Sequence, residues 1–165
     1  MTFNKKLLSA LIGGVLATAA SAQTVRIANQ GDALSLDPHS LNESLQLSVD
    51  SNAYEALVGW NKKLEMVPML ATSWKQSTPT VWRFELRKGV QFHDGTPFTA
   101  DDVVYSINRA KEPTSQIAVY ANAVGVPKKI DESTVEFDLP KVNPIFMEHI
   151  QPLFIMSKVW SEKNK

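Results

Sequence analysis

The chain has 165 residues, with 17 basic and 17 acidic side chains, so its formal net charge is zero. This length fits one domain or part of one, and 44% hydrophobic with 21% charged residues is the balance of a folded globular protein, which excludes a largely disordered chain. A neutral chain without a basic block offers no surface for nucleic acid. Because the chain has no cysteine, disulfides, cysteine-ligated metal centres and thiol nucleophiles are also excluded.

Residues 1–22 have the pattern of a secretory signal peptide. Lys5 and Lys6 precede an uncharged, mostly apolar run from Leu7 to Ala19, and Ala20-Ser21-Ala22 provides a small-residue cleavage site. The run is shorter than the ~20 apolar residues of a membrane span. We therefore expect an exported protein whose mature chain is 23–165. A lipoprotein would need a cysteine at the cleavage point, so lipid anchoring is not expected.

The first half of the mature chain contains alternating and helical patterns. Trp82, Phe84 and Leu86 alternate with charged residues, which predicts a strand with one buried and one wet face. Apolar residues recur at helical spacing after Asn42 and Ser44, either of which is a candidate helix cap. The predicted elements are a strand over 24–29, a helix over 44–58, a polar connection over 62–68, and strands over 71–76 and 80–87.

The second half begins with a turn and a helix that has a clear start. His93-Asp94-Gly95-Thr96-Pro97 predicts a tight turn, and Thr99 with Asp102 predicts a capping box at the start of a helix that runs to about Lys111. The elements predicted after this helix are a hairpin of 124–130 and 134–139, a short helix over 143–149, a strand over 154–157, and a last helix starting at Ser157 or Ser161. Together these elements predict a mixed α/β (α+β) fold.

Five segments with this order and spacing resemble a known family. They are Leu36-Asp37-Pro38-His39, residues 54–58, residues 68–74, residues 82–90, and residues 92–106. Together they are similar to the N-terminal part of family 5 extracellular solute-binding proteins, the periplasmic receptors of ABC importers for dipeptides, oligopeptides, nickel and related solutes.

The resemblance implies a two-lobed periplasmic binding protein of type II fold. Within it, residues 23–165 would form the start of the first lobe plus an antiparallel accessory subdomain. Family members are several times longer, so we interpret the chain as truncated. The implied partners are a peptide or other small solute and the permease in the inner membrane, with no cofactor.

The resemblance also points to solute-contacting residues. The segment after His39 runs along the cleft of relatives, which implicates Asn42, Glu43 and Ser44 as ligand-binding residues; the alternative is that they cap the next helix. Tyr120 stands about where relatives place a cleft tyrosine, with loop packing as its alternative. We interpret the 87–106 motif as a structural element rather than as a binding site, because each of its residues has a local conformational role.

Metal ligation by His93 and Asp94 is an alternative, but further ligands are missing at a recognisable spacing.

A secreted hydrolase is the second function considered, although no Gly-x-Ser-x-Gly or His-Glu-x-x-His motif occurs. A third is a truncated product without transport function. We expect the mature chain alone to bind no peptide with useful affinity, because half of the cleft is missing.

Overall fold

The computed structural model describes Arg26 and residues 28–164. The predicted signal peptide lies outside the described residues. Half of the predicted strand over 24–29 lies outside them as well, and its described residues, Arg26, Ala28 and Asn29, form no strand. The described helices and strands all belong to the unit of the chain that begins at Gly31.

The described residues of this unit form five helices and six strands, which confirms the mixed fold class. In chain order they are α1 (Ser44–Asp50), β1 (Val58–Trp60), β2 (Met66–Pro68), β3 (Ala71–Thr78), β4 (Val81–Leu86), α2 (Ala100–Arg109), α3 (Ala118–Ala123), β5 (Val126–Asp131), β6 (Thr134–Asp138), α4 (Phe146–Ile150) and α5 (Lys158–Lys163). In the described part of the chain, all strand pairs are antiparallel.

The main sheet has the strand order β3-β4-β6-β5. Phe84 of β4 and Phe137 of β6 point to the buried face, where their rings meet Phe146 of α4. Trp82 stacks on the same Phe146 at 5.0 Å between ring centroids, and Trp74 lies against Phe84. The alternation in β4 therefore correctly predicts its buried face, and both tryptophans pack against the core.

Helix α2 lies against β5 and β6 and starts with the predicted capping box. The Thr99 hydroxyl accepts a hydrogen bond from the Asp101 amide at 3.3 Å, and Asp102 Oδ2 accepts one from the Thr99 amide at 2.8 Å. The buried Asp102 also accepts a hydrogen bond from the Lys158 amide at 2.8 Å. One carboxylate thus fixes the starts of α2 and α5 relative to each other.

The helix predicted over 44–58 is wrong beyond Asp50. The side chains of Ser51 and Asn52 each donate to the carbonyl of Ser48 at 2.8 Å, and such local bonds compete with helix continuation. Farther on, the carbonyls of Ala56 and Leu57 accept bonds from the amides of residues 70 and 71. Pairing with this distant segment outweighs the helical spacing of the apolar side chains. Neither predicted cap residue acts as one, since Glu43 is the N-cap and makes no side-chain cap bond.

The connection predicted over 62–68 is wrong in its second half, which forms β2 and pairs with β1. Asn61 Oδ1 accepts bonds from the amides of Lys63 and Glu65, and Leu64 takes a positive φ of 62° in this turn. The sequence lacks the glycine that signals such a turn, so the pattern does not predict this hairpin.

The strand predicted over 154–157 is also wrong, because this buried segment has no regular secondary structure. It is held by single bonds on its two sides: the Ile155 amide donates to the Glu55 carbonyl, and the Met156 amide donates to the Ser106 hydroxyl at 2.8 Å. Helix α5 then begins, with the predicted Ser157 as its N-cap. The predicted helix over 143–149 is found as α4, which starts three residues later and ends one residue later than predicted.

Residues 28–164 contain no helix whose length and apolar character would allow it to span a bilayer.

We expect Thr99→Ala to lower the free energy of unfolding by about 1 kcal/mol, because the α2 cap loses its acceptor. Urea denaturation followed by circular dichroism measures the change. Thr114→Ala is the control, since Thr114 is exposed in a turn and its side chain forms no hydrogen bond within residues 28–164. Equal effects of the two substitutions would show that the cap does not stabilise the fold.

Candidate functional site

The segment that precedes α1 is fixed by an ion pair to α2. Arg109 binds both carboxylate oxygens of Asp37, with Nη1–Oδ1 at 2.8 Å and Nη2–Oδ2 at 2.6 Å. This two-pronged geometry is the strong form of an arginine–carboxylate pair. The bond from Arg109 holds the pKa of Asp37 below its usual value, and Asp37 raises the pKa of Arg109 in return.

His39 completes this junction from a buried position, with 2% of its surface exposed. Arg109 Nη1 lies 3.0 Å from His39 Nδ1, and His39 Nε2 lies 3.2 Å from the carbonyl oxygen of Phe154. Since a guanidinium only donates, Nδ1 is the acceptor, and the proton on Nε2 is donated to Phe154. Burial, assisted by the charge of Arg109, lowers the pKa of His39 to about 4. We call Asp37, His39, Arg109 and the Phe154 carbonyl the Arg109 junction.

A second contact fixes the segment just before the junction. The buried Gln46 of α1 accepts a hydrogen bond from the Leu34 amide at 3.2 Å and donates to the Ser35 carbonyl. Its amide nitrogen also lies 3.0 Å from each carboxylate oxygen of Asp50, which is buried as well. Residues 34–39 are therefore held at both ends.

The predicted ligand residues Asn42, Glu43 and Ser44 follow this fixed segment after two intervening residues, 40 and 41. All three are exposed, and none of their side chains forms a hydrogen bond or ion pair within residues 28–164. The alternative interpretation, that they cap α1, is not supported because no side-chain cap bond is present. We call these residues the polar triplet; a carboxylate, an amide and a hydroxyl stand here on an anchored backbone and remain available to a ligand.

Tyr120 has different surroundings. It lies in α3, packs half-buried against the core, and its ring centroid is 6.2 Å from that of His149. His149 Nδ1 lies 2.9 Å from the side-chain amide of Asn143. The contacts of Tyr120 with His149 and the core are those expected for aromatic packing. In the described part of the chain, no hydrogen bond links Tyr120 to the polar triplet. Its role as a ligand residue stays a prediction.

His93 and Asp94 are exposed at the predicted turn, where Gly95 takes the positive φ of 83°. The Asp94 carboxylate accepts bonds from the amide and hydroxyl of Thr96, at 2.9 and 2.6 Å, and these bonds lower its pKa. Asp94 thus has a local structural role. The described residues contain no group of three histidine or acidic side chains placed to hold a metal ion.

Sequence reasoning missed Arg109 and Gln46 as the residues that position this segment. From the sequence, Arg109 is only a basic residue near the C-terminal end of a predicted helix. No sequence pattern indicates that it pairs with an aspartate 72 residues earlier. The available signal was the i, i+4 spacing of Gln46 and Asp50, which places two polar side chains on one face of α1; both are buried there, and a buried polar group needs a partner.

Comparison with known proteins identifies the class. The model of the bacterial extracellular solute-binding proteins, family 5 (middle), matches residues 65–165, which is well over half of the chain. The protein therefore belongs to the family 5 extracellular solute-binding proteins.

Individual relatives are peptide-binding proteins by name. The chain is 39% identical over 94 residues to the periplasmic murein peptide-binding protein MppA of Escherichia coli, covering 56% of this chain and 18% of MppA. It is 30% identical over 148 residues to the periplasmic oligopeptide-binding protein OppA of the same organism, covering 78% of this chain and 27% of OppA.

Solved structures show the same fold. The unliganded open form of MppA matches with a TM-score of 0.72 and 30% identity, over 79% of this chain and 30% of that one. NikZ from Campylobacter jejuni, solved with Ni(L-His), matches with a TM-score of 0.71 and 26% identity, over 80% and 27% of the two chains. The chain thus spans less than a third of the length of each of these proteins.

We expect Arg109→Met to lower the free energy of unfolding by about 1–3 kcal/mol, because Asp37 and His39 lose a charged partner in a half-buried setting. Lys128→Met is the control: Lys128 pairs with Asp138 through side chains that are 55% and 45% exposed, and exposed pairs of this kind contribute about 0–1 kcal/mol. Urea denaturation of both variants measures the difference. Equal losses would contradict a special role of the junction.

Stability should also fall as the pH drops from 7 to 5. The unfolded chain takes up a proton on His39 near its ordinary pKa of about 6.5, whereas the folded chain, with its pKa of about 4, does not. The unfolded state therefore gains protons first, and His39 alone accounts for a loss of about 2 kcal/mol over this interval. The free energy of unfolding continues to fall between pH 5 and 4 and levels off at lower pH.

Denaturation of His39→Gln at pH 7 and pH 5 tests this assignment, because the variant should lack that share of the pH dependence. His93→Gln, at an exposed histidine, should keep it. The same pH dependence in all three proteins would show that His39 is not the responsible group.

Proposed function

We propose that the protein is part of the solute-binding component of an ABC importer. This component binds a peptide or related small solute in the periplasm and delivers it to a permease in the inner membrane. Membership of family 5 is the observation that carries this proposal. The names of the relatives MppA and OppA favour peptides as the solute class. The signal-peptide pattern of residues 1–22 supports export, and lipid anchoring is not expected since the chain has no cysteine.

The polar triplet is our candidate for contacts with the solute. The Glu43 carboxylate accepts hydrogen bonds, the Ser44 hydroxyl both donates and accepts, and the Asn42 amide does the same through its two ends. Peptide backbones present donors and acceptors of this kind. Because the preceding segment is fixed by the Arg109 junction and by Gln46, these side chains would meet a solute with little loss of backbone entropy.

Transport in such a receptor requires a conformational change that the solute stabilises. In a two-lobed protein, a solute that touches both lobes binds the closed form more tightly than the open form, and this difference shifts the population toward closure. The polar triplet would supply contacts on one side only. The other side would come from polypeptide that the matched relatives have and this chain does not span.

We further propose that the protein binds its solute without chemical conversion. The family is named for solute binding. Two of the three histidines are engaged by nitrogen groups, His39 by Arg109 and His149 by Asn143, and neither is paired with a hydroxyl that it would activate as a nucleophile within residues 28–164. Mass spectrometry of a peptide incubated with the protein should therefore recover it unchanged.

Calorimetry on an extended chain tests the binding role. The extended chain is this full sequence with the part of E. coli OppA that follows its matched stretch appended after Lys165. We expect it to bind trialanine or a longer alanine peptide, and the triple variant Asn42→Ala, Glu43→Ala, Ser44→Ala to bind at least 10-fold more weakly. Glutathione serves as a second probe, because other relatives are glutathione-binding proteins.

Ser48→Ala is the control, at an exposed serine on the same helix, and should leave the affinity unchanged. A folded extended chain that binds neither probe would contradict the proposed function. Binding that is equal in the triple variant would instead overturn only the assignment of the polar triplet. The unextended mature chain should bind no peptide at micromolar concentration.

A further inference from the structure

A cavity with a volume of about 380 Å³ lies beside α5. A smaller cavity of about 180 Å³ adjoins it and shares part of its wall. We call the larger space the α5 cavity; its size is within the range of about 300–1,000 Å³ that is usual for small-molecule sites. Neither the polar triplet nor Tyr120 lines it. The side chains in its wall include Tyr54, Phe92, Asp94, Met156, Trp160 and Ser161.

Three of these lining side chains are aromatic. Trp160 is 52% exposed, and Tyr54 and Phe92 are half-buried. Phe92 meets the ring of Phe98 edge-on at 6.2 Å between centroids, and the Tyr54 hydroxyl donates to the Leu36 carbonyl at 3.0 Å. These contacts fix two of the rings before any ligand arrives. Aromatic faces attract organic cations, and tryptophan attracts them most strongly.

The wall of the α5 cavity also carries a carboxylate, whereas no lysine or arginine of the described residues lines it. Asp94 Oδ1 accepts hydrogen bonds from the hydroxyl and the amide of Thr96, and these bonds lower the pKa of Asp94. The charge of Lys163, which lies outside the wall, contributes to the same shift in pKa. Asp94 Oδ2 accepts no hydrogen bond within residues 28–164. One oxygen of Asp94 therefore fixes the turn, and the other is available to a cation.

A buried hydroxyl in the wall lacks a partner. Ser161 is 8% exposed, and its hydroxyl forms no hydrogen bond within the described residues. The nearby Ser157 hydroxyl, in contrast, accepts a bond from the Trp160 amide at 3.2 Å. An unpaired buried hydroxyl is unfavourable, and a ligand that brings a donor or an acceptor removes this cost. The α5 cavity thus offers a hydrogen-bonding position that the fold itself does not use.

These features distinguish between classes of ligand. An anion would be repelled by Asp94 and would find no lysine or arginine in the wall. A metal ion needs several oxygen or nitrogen ligands, and the described residues contain no suitable group of three histidine or acidic side chains. An uncharged apolar molecule would leave Asp94 and Ser161 without partners. The wall fits a molecule that combines a positive charge, an apolar surface and a hydrogen-bonding group.

We propose that the α5 cavity binds a small organic ammonium ion that carries a hydroxyl group. The ammonium group lies against the rings of Trp160 and Phe92 beside the Asp94 carboxylate, and the hydroxyl of the ligand pairs with that of Ser161. Choline has this chemistry and serves as the probe. The site is separate from the polar triplet, and this inference does not rest on the proposed transport function.

Fluorine NMR of protein labelled with 5-fluorotryptophan tests the inference. The resonances of the two exposed tryptophans are assigned with Trp160→Phe and Trp60→Phe. Choline should shift the Trp160 resonance with a dissociation constant of about 1 mM or below and leave that of Trp60, which is outside the cavity, unchanged. The neutral isostere 3,3-dimethyl-1-butanol, in which carbon replaces the ammonium nitrogen, should bind about 10-fold more weakly.

Two variants separate the role of the charge from that of the hydroxyl. Asp94→Asn keeps an acceptor for the turn but loses the charge, so it should weaken choline binding severalfold. Asp131→Asn is the matched control and should leave the affinity unchanged, because Asp131 Oδ1 likewise accepts bonds from the amide and hydroxyl of Ser133 but lies outside the cavity. Ser161→Ala should weaken binding of choline but not of tetramethylammonium, which has no hydroxyl.

Two results with the unmodified protein would overturn the proposal, and neither depends on whether a variant folds. One is an unshifted Trp160 resonance at choline concentrations about tenfold above the expected dissociation constant. The other is equal affinity for choline and 3,3-dimethyl-1-butanol, which would make the cavity an apolar site without preference for a cation. Equal effects of Asp94→Asn and Asp131→Asn would also contradict the assignment.

Discussion

Three distant parts of the chain meet at Arg109. Its guanidinium binds Asp37 with two hydrogen bonds and contacts His39, which reaches the carbonyl of Phe154 on its other side. The segment before α1, the end of α2 and the segment before α5 are thereby joined through side chains and one carbonyl, with no strand pairing between them. Because His39 is buried and neutral, the junction keeps a single positive and a single negative charge that compensate each other.

The polar triplet follows the Asp37–His39 segment in the chain. It offers unengaged polar side chains on a fixed backbone, as a solute contact requires.

The sequence predicted what local patterns determine. The alternation in β4, the capping box of α2 and the hairpin of β5 and β6 depend on residues close together in the chain. The prediction was wrong where a distant segment decides the conformation: residues 56–57 pair with residues 69–71 instead of extending α1, and residues 154–157 are fixed by Glu55 and Ser106. The candidate solute residues came from family resemblance, whereas Arg109 as their anchor came only from the structure.

Amide hydrogen exchange tests the central claim, that the Arg109 junction holds the segment carrying the polar triplet in place. Exchange is compared between the unmodified protein and Arg109→Met. The account predicts that protection in α1, residues 44–50, falls at least 10-fold in the variant while protection in β4 and β6 stays the same, since the sheet has its own core. Unchanged protection of α1, or an equal fall in the sheet, would contradict it.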